Sequence, residues 1–330
     1  MLRDFRPTPV LAARAVEFAA GRITTPPVQP RLSSTVMLLR DVGPGASRGG
    51  ASGVEVFVLR RAATMAFAAQ MHAFPGGGVD ERDGDLDVPW VGPLPQAWAS
   101  ALGSSETQAR ELVCAAVREL FEECGVLLAG PDEGSVVADL SDPSWEDDRQ
   151  ALLGRELALS QLLLRRGLVL RADLLRPWAH WTTPVFEPRR YDTRFFVAAL
   201  PPGQRAREVG GEADRAGWVQ ASVAAQRFHA GELAMLPPTI ITLEELGAVP
   251  TVAQALAERR RIGRAMPWLV ATAGDGRDGD AHDGDTHDLD AAAHQFLLRV
   301  DVDGQGGGRP GPERGLEQLA PGAPTYEGAP

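Results

Sequence analysis

The sequence predicts a protein of mixed helices and strands, in the α/β or α+β class. Residues 107–124 contain neither Gly nor Pro and repeat apolar side chains about every 3.6 residues, as in an amphipathic helix. Residues 34–40 and 54–61 are short aliphatic and β-branched runs separated by a loop of Gly, Ser and Ala, which predicts neighbouring strands. Segments of both kinds recur along the chain, so a sheet packed against helices is expected.

The remaining elements follow from the same two patterns. Further helices are predicted at residues 10–20, 145–166, 221–230, 239–246 and 251–261. Further strands are predicted at residues 168–175, 193–200, 217–219 and 296–302. The central helix is expected to have Ser105 or Thr107 as its N-cap and to stop at Gly125, because these residue types commonly cap helix ends.

Composition divides the chain into a body and an acidic tail. Residues 271–330 are rich in Asp, Gly and His, carry −8 of the net charge of −11, and are expected to be disordered. We therefore predict an N-terminal extension over residues 1–30, a folded domain over 31–270, and this low-complexity tail. The body is nearly neutral, so a surface that binds nucleic acid is not expected.

Export and membrane insertion are not indicated. No run approaches the roughly 20 apolar residues of a membrane span, and 44% hydrophobic with 23% charged residues is typical of a soluble globular protein. The two cysteines, Cys114 and Cys124, lie on the apolar side of the central helix and are expected to be small buried hydrophobes. A reducing cytoplasm is therefore the expected location.

The central helix carries an acidic cluster opposite its apolar face. Glu119, Glu122 and Glu123 lie within about one turn, where like charges repel, and no basic residue follows any of them at a spacing of four. A positive ligand is therefore expected, and Mg²⁺ or Mn²⁺ is suited because hard divalent cations take oxygen ligands. The alternative is an acidic face covered by solvent, which is common in Glu-rich helices.

A longer pattern around this cluster favours the metal site. Its second half reads Arg-Glu-Leu-x-Glu-Glu-x-Gly-Val from Arg118 to Val126, and Phe-Pro-Gly-Gly-Gly precedes it at residues 74–78. This arrangement resembles the signature of the Nudix hydrolases, Gly-x5-Glu-x7-Arg-Glu-U-x-Glu-Glu-x-Gly-U, in which U is aliphatic. The resemblance implies an α/β fold of the Nudix type, an α/β/α sandwich with a mixed β-sheet and extra helices, over residues 31–270.

The first half of the signature is interrupted. Arg118 follows Gly77 by 41 residues, whereas the family spacing is 14, so 27 residues are in excess. Counting forward from Gly77 places the first glutamate of the signature on Asp83. Counting back from Arg118 places it on Arg110, beside Glu111. The sequence does not decide which of these three residues replaces the first glutamate of the signature.

The inserted segment, residues 84–106, is rich in Pro, Gly, Trp and Asp and is interpreted as a surface excursion that lets the two halves meet. An insertion here is similar to the branch of Nudix hydrolases related to the peroxisomal coenzyme A diphosphatases of eukaryotes. Flanking sequences share that similarity: Arg60-Arg61, Met71-His72-Ala73-Phe74, Trp181-Thr182-Thr183-Pro184, Arg189-Arg190-Tyr191-Asp192-Thr193-Arg194-Phe195-Phe196 and Leu236-Pro237-Pro238-Thr239. The resemblance implies hydrolysis of coenzyme A or its acyl esters. The alternatives are ADP-ribose or NADH as substrate, a nucleotide-binding regulator without turnover, or a protein whose tail recruits partners.

The resemblance also implies roles for individual residues. The predicted ligands of Mg²⁺ or Mn²⁺ are Glu119, Glu122, Glu123 and the carbonyl of Gly77. The predicted catalytic residues are Glu119, Arg118 and Glu212, of which Arg118 orients a carboxylate and Glu212, or Glu208, is a candidate base or ligand from a later loop. The predicted substrate-binding residues are Arg60, Arg61, Arg189 and Arg190, because guanidinium groups pair with phosphates. A small nucleotide substrate is the expected partner, and the oligomeric state is left open.

Overall fold

Residues 1–43, 53–62, 70–207, 213–272 and 296–302 are described by the computed structural model. They form two compact units, and each unit combines segments that lie far apart in the sequence. The larger unit contains Leu32–His180 and Thr193–Ile262, and the smaller contains Met1–Arg31, Trp181–Asp192 and the described residues from Gly263 onward. This differs from the expected linear division of the chain after residues 30 and 270.

The described chain contains both helices and strands. The strands are β1 (Leu2–Phe5), β2 (Arg31–Asp41), β3 (Val54–Arg61), β4 (His72–Ala73), β5 (Gly76–Gly78), β6 (Trp90–Val91), β7 (Ala129–Gly130), β8 (Val169–Arg171), β9 (Arg176–Thr182), β10 (Tyr191–Ala199), β11 (Ala213–Gln220), β12 (Arg264–Ala265), β13 (Trp268–Ala271) and β14 (Phe296–Asp301). The helices are α1 (Pro9–Ala19), α2 (Pro95–Leu102), α3 (Glu106–Cys124), α4 (Pro143–Leu153), α5 (Leu159–Arg166), α6 (Ala221–His229), α7 (Pro237–Gly247) and α8 (Val252–Ala257). Short 3₁₀ helices span Glu81–Gly84 and Ala172–Leu174.

The main sheet of the larger unit has the strand order β11-β3-β2-β10-β9, with β4 beside β3 and β5 beside β2. β2 and β3 pair antiparallel, which confirms the predicted neighbouring strands. Ser33 contacts Thr193 near one end of β2, and the Leu39 carbonyl accepts from Leu200 near the other, so β2 and β10 run in the same direction and the sheet is mixed. Residues 36–39 of β2 are all buried, which requires cover on both faces of the sheet. The predicted α/β class is confirmed.

α3 forms where the sequence predicts it, and local sequence caps both of its ends. The Ser105 side chain accepts a hydrogen bond from the main-chain N of Gln108, and the Gln108 side chain accepts one from the main-chain N of Ser105. Gly125 ends the helix in the left-handed conformation, with φ of 69°. Ala115 and Ala116 are buried in the same helix.

The three glycines before the insertion form strand β5. β5 pairs antiparallel with β2, with Gly77 opposite Ser34. Close approach is the reason for glycine here, because a Cβ at Gly76 would collide with the main-chain oxygen of Ser34. A Cβ at Gly77 would lie 2.5 Å from Oε1 of Glu119. The glycines therefore bring this strand against α3.

The inserted residues 84–106 contribute to the hydrophobic core, whereas the sequence predicted a surface excursion. They contain β6 and α2, and three of their side chains, Val88, Trp98 and Leu102, are buried in the hydrophobic core with α3. Pro95 begins α2, which is a favourable position because the first helical residue needs no hydrogen-bond donor. The Pro- and Gly-rich composition predicted a surface segment, but Pro95 starts a helix that packs into the core.

Other predicted elements differ in extent. The predicted helix over 145–166 is divided into α4 and α5, because α4 ends at the C-cap Gly154. The predicted strand over 168–175 is β8 followed by a 3₁₀ turn, and the predicted helix over 251–261 ends at Ala257. Strands β1 and β9 were not predicted.

The smaller unit has a three-stranded sheet of its own, in the order β1-β14-β13. Its apolar core contains Ala15, Phe186, Leu269, Phe296 and Leu298. β14 is the strand predicted at residues 296–302. The predicted acidic tail otherwise lies outside the described residues, apart from residues 271–272.

Both cysteines are free and buried in α3, as predicted. Burial raises the pKa of each thiol above its ordinary value, so Cys114 and Cys124 behave as small apolar side chains. A separate prediction concerned membrane insertion. Across the described segments of the chain, none of the helices has the length and apolar character needed to span a membrane.

Candidate active site

Arg118, in the second half of α3, is the centre of a buried cluster of charges. Its Nε and Nη2 donate to the two carboxylate oxygens of Asp83, each at 2.9 Å. Its Nη1 donates to Oε1 of Glu119 at 2.8 Å and to Oε2 of Glu122 at 3.0 Å. Nη2 also donates to the main-chain O of Gly78 at 2.8 Å. One guanidinium thus joins both halves of the interrupted signature, which meet in space as expected.

Of the three candidates for the first acidic position, Asp83 is the one that bonds to Arg118. Its side chain is 2% exposed. Arg110 instead lies over the ring of Trp90, 5.5 Å from the ring centre. Burial, together with the charge of Asp83, raises the pKa of Glu111 and disfavours a charge there. The geometry therefore supports the forward count to Asp83.

Glu119 and Glu122 are buried and Glu123 is half-buried, so the interpretation as an acidic face covered by solvent does not hold for the first two. The exposed fraction is 9% for Glu119 and 6% for Glu122. Arg118 pairs with Glu122 from four residues before it, so a basic partner at helical spacing precedes the acid rather than following it. Glu123 contacts the glycine strand, and its Oε2 accepts from the main-chain N of Gly76 at 2.8 Å.

Burial and charge oppose each other in this cluster. Burial raises the pKa of Glu119 to about 7, although the neighbouring Arg118 lowers it. Burial raises the pKa of Glu122 as well. For Arg118, burial acts to lower the pKa, but the bonds to Asp83 and the negative charges of Asp83, Glu119 and Glu122 together raise the pKa above its ordinary value. A cation beside Glu119 and Glu122 would favour their ionised forms.

The donor set fits a hard divalent cation. Glu119, Glu122, Glu123 and the Gly77 carbonyl are all oxygen donors, which Mg²⁺ and Mn²⁺ prefer. The absence of a Cβ at Gly77 lets its main chain lie directly against the Glu119 carboxylate. Within the described part of the chain, no three acidic, His or Cys side chains already converge on one point that could hold a metal ion. Arg118 engages two of the carboxylates and the Gly76 amide engages the third.

The predicted phosphate-binding arginines lie in different surroundings. Arg60 and Arg61 end β3, where Arg60 lies opposite Arg215 on one neighbouring strand and His72 on the other. Both are half-buried in the larger unit. A role in phosphate binding stays a prediction for this pair.

Arg189 and Arg190 belong to the smaller unit. Arg189 is exposed. Arg190 is buried, and its guanidinium donates to the main-chain oxygens of Thr183 at 3.1 Å and Val28 at 2.8 Å. These bonds indicate that Arg190 holds main-chain segments together, and its role in substrate binding stays a prediction.

Glu212 and its alternative Glu208 lie outside the described residues. Their predicted role as base or additional ligand therefore stays a prediction. Glu119, which lies beside Gly77 and Arg118, is the remaining predicted base.

One buried residue beside the site was not singled out from the sequence. Arg149, on α4, is 2% exposed, and its Nη1 donates to the main-chain O of Glu122 at 2.7 Å. Glu146 and Arg149 are three residues apart, and this spacing in the sequence predicts an ion pair on one face of a helix. Only burial shows that Arg149 faces α3 rather than solvent.

Comparison with known proteins agrees with this fold. The NUDT19 Nudix domain family matches residues 100–246. A crystal structure of a NUDIX hydrolase from Alicyclobacillus acidocaldarius is similar with a TM-score of 0.58 and 30% identity, over 71% of this chain and 98% of that chain. The chain therefore belongs to the Nudix hydrolase family.

Curated relatives are more distant in sequence. Acyl-coenzyme A diphosphatase NUDT19 of Gallus gallus is 29% identical over 233 residues, which cover 57% of this chain and 60% of the relative. The putative nudix hydrolase 7 of Caenorhabditis elegans is 27% identical over 203 residues, which cover 59% of this chain and 56% of the relative. The chain thus spans about 60% of the length of the curated relatives that it matches.

Proposed function

We propose that the protein hydrolyses a diphosphate bond in a small molecule in which a nucleoside diphosphate is linked to another group. The observation that carries this proposal is the acidic cluster of a Nudix fold, in which Arg118 joins buried Glu119 and Glu122 to Asp83 and half-buried Glu123 contacts the glycine strand. Buried acids that share one arginine leave negative charge to be balanced, and a divalent cation would balance it.

Different residues of the chain would hold the metal ion and orient its ligands. Glu119, Glu122, Glu123 and the Gly77 carbonyl would hold Mg²⁺ or Mn²⁺. When bound, the ion supplies charge neutralisation for the phosphate oxygens and for the leaving oxygen. Arg118 orients Glu119 and Glu122 through the bonds already present.

Water attack requires a carboxylate to take a proton. Glu119 or Glu212 would accept it at a carboxylate oxygen, which is the usual role of a general base. Glu119 is held by Arg118 at 2.8 Å, so its position is fixed before substrate binds. A fixed base loses less entropy on reaching the transition state.

Coenzyme A and its acyl esters are the proposed substrates. The interrupted signature supports this choice, as do the relatives named acyl-coenzyme A diphosphatase. Cleavage would give 3′-phosphoadenosine phosphate and a phosphopantetheine. ADP-ribose and NADH are the second candidates. The two free thiols agree with a reducing compartment, and we propose the cytoplasm.

The test is product analysis by liquid chromatography. Purified protein would be incubated with Mg²⁺ or Mn²⁺ against coenzyme A, an acyl-coenzyme A, ADP-ribose, NADH and dinucleoside polyphosphates. Glu123→Gln should lower turnover by roughly 100-fold or more, because it removes a charged oxygen donor. Glu106→Gln, an exposed acid at the other end of α3, is the matched control and should keep wild-type turnover.

Each outcome separates the alternatives. Cleavage of coenzyme A that needs the metal and Glu123 supports both the chemistry and the substrate. Cleavage of another compound keeps the chemistry and rejects the substrate. Nucleotide binding without any cleavage would support the regulator instead, and full activity in Glu123→Gln would reject the metal assignment.

A further inference from the structure

The last turn of α3 carries two acids, of which Glu122 pairs with Arg118 from four residues before it. Glu122 and Glu123 lie at the C-terminal end of the helix, where the helix dipole is negative and carboxylates are unfavourable. The last turn contains no basic residue. Its main-chain carbonyls also lack partners within the helix. Stabilising donors must therefore come from other parts of the chain.

Arg149 of α4 supplies one such donor. Its Nη1 donates to the main-chain O of Glu122 at 2.7 Å. The other edge of the guanidinium donates to Glu146, with Nε at 3.0 Å from Oε2 and Nη2 at 2.5 Å from Oε1. A planar guanidinium can bond to a carboxylate on one edge and a carbonyl on the other, whereas lysine offers only a single point charge. Glu146 thus fixes the direction in which Arg149 meets α3.

Arg207 contacts the same end of α3. Its main-chain N donates to the main-chain O of Cys124 at 3.1 Å. Its side chain donates from Nη2 to Oε2 of Glu146 at 3.0 Å. Glu146 is therefore shared by two arginines that each bond to a terminal carbonyl of the helix.

The hairpin formed by α4 and α5 also contacts the first half of the signature. Arg82 donates from Nη1 to the main-chain O of Arg155, between the two helices, at 2.9 Å. Ser160, near the start of α5, donates from Oγ to Oδ2 of Asp85 at 2.5 Å. The hairpin therefore holds the 3₁₀ turn that carries Asp83 on one side and the end of α3 on the other.

We infer that the α4–α5 hairpin aligns the two halves of the interrupted Nudix signature and that Arg149 is the positioning residue for Glu122 and Glu123. Arg149 acts through the main chain of Glu122 and does not enter the cluster of acids. Holding that carbonyl fixes the direction in which the two carboxylates leave the last turn. Loss of such a supporting contact typically weakens metal binding or activity by about 10- to 100-fold. The inference rests on the proposed function.

The first experiment needs neither substrate nor metal. Arg149→Met removes the donor to Glu122, and Arg166→Met is the matched control, because Arg166 bonds within the hairpin to Asp148 and Ser144. Amide hydrogen exchange of the last turn of α3 should become about tenfold faster in Arg149→Met. It should stay at the wild-type rate in Arg166→Met. Equal rates in the two variants would overturn the positioning role.

The second experiment measures the consequence for the acids. Calorimetric titration with Mn²⁺ should show about tenfold weaker binding in Arg149→Met and wild-type binding in Arg166→Met. With the cleaved substrate, kcat of Arg149→Met should fall while KM stays constant. The kcat of Arg149→Lys should lie between those of wild type and Arg149→Met, because lysine keeps the charge but lacks the planar guanidinium that bonds on two edges. Unchanged Mn²⁺ affinity in Arg149→Met would overturn the inference.

Two further outcomes are decided by the same measurements. If Arg149→Met does not fold, Arg149→Lys takes its place, and wild-type exchange and Mn²⁺ affinity in that variant would overturn the inference. If the wild-type protein cleaves nothing and binds no Mn²⁺, the proposed function fails. Hydrogen exchange then still decides whether Arg149 positions the last turn, so the two failures are distinguishable.

Discussion

The two ends of α3 are stabilised in opposite ways. At the N-terminal end, Ser105 and Gln108 cap each other, and Glu106 lies in the first turn, where an acid is favoured. At the C-terminal end, Glu122 and Glu123 lie where acids are disfavoured, and the donors there include Gly76, which bonds to Glu123, and Arg149, which bonds to the main-chain O of Glu122. The first end is specified by a few neighbouring residues, whereas the second depends on contacts across the larger unit. A functional site that gives up local stability commonly shows this contrast.

The largest effect on stability is expected from Asp83→Ala. It leaves the buried Arg118 guanidinium without its two-bond partner, which should reduce the free energy of unfolding by about 3–5 kcal/mol. Denaturant unfolding measures this, and the exposed Asp87→Ala nearby should change stability by less than about 0.5 kcal/mol. Equal losses in both variants would mean that the cluster does not depend on Asp83.

Gly77→Ala tests the contact between the glycine strand and the acidic end of α3. Its new Cβ would lie 2.5 Å from Oε1 of Glu119, whereas a Cβ at Gly78 has nothing within 4 Å. The Glu119 carboxylate can move aside, so both variants should fold. We expect kcat to fall by about tenfold or more in Gly77→Ala only. Wild-type kcat in Gly77→Ala would show that the position of Glu119 is not set by this contact.

Ser105→Ala tests the locally specified end. Loss of the N-cap should reduce the free energy of unfolding by about 1 kcal/mol. The acids lie several turns away, so turnover at saturating substrate should be unchanged. A large loss of kcat would break the contrast between the two ends, because it would couple the cap to the site.

Glu146→Gln should have the smallest effect, and that effect should depend on pH. The bonds from Arg149 lower the pKa of Glu146 from 4.5 to about 2. The resulting stability is present above the unfolded pKa and is lost as the pH falls through the folded pKa. Because the side chain is 38% exposed, we expect less than about 1 kcal/mol at pH 7 and no difference from wild type near pH 2. Urea midpoints at both pH values check this, and a difference that persists at pH 2 would contradict it.

Much of the fold follows from the sequence because it depends on local patterns. The bounds of β3 and the caps of α3 were predicted closely from residue type and periodicity. The insertion was harder, since Trp98 and Leu102 are buried although their segment has the composition of a loop. The glycine strand was also hard to predict, because glycine permits both positive φ and close approach, and only a neighbour such as Glu119 distinguishes the two.

The sequence by itself determined the family, the acidic cluster and the class of ion that suits it, because these depend on residue type at fixed spacing. Tertiary structure decided the choice of Asp83 over Arg110 and Glu111, the structural use of Arg190, and the contact of Arg149 with the main chain of Glu122. Those contacts join residues 27 to 162 positions apart. Burial and partner choice at such separations depend on how the chain packs, and neither composition nor periodicity encodes them directly.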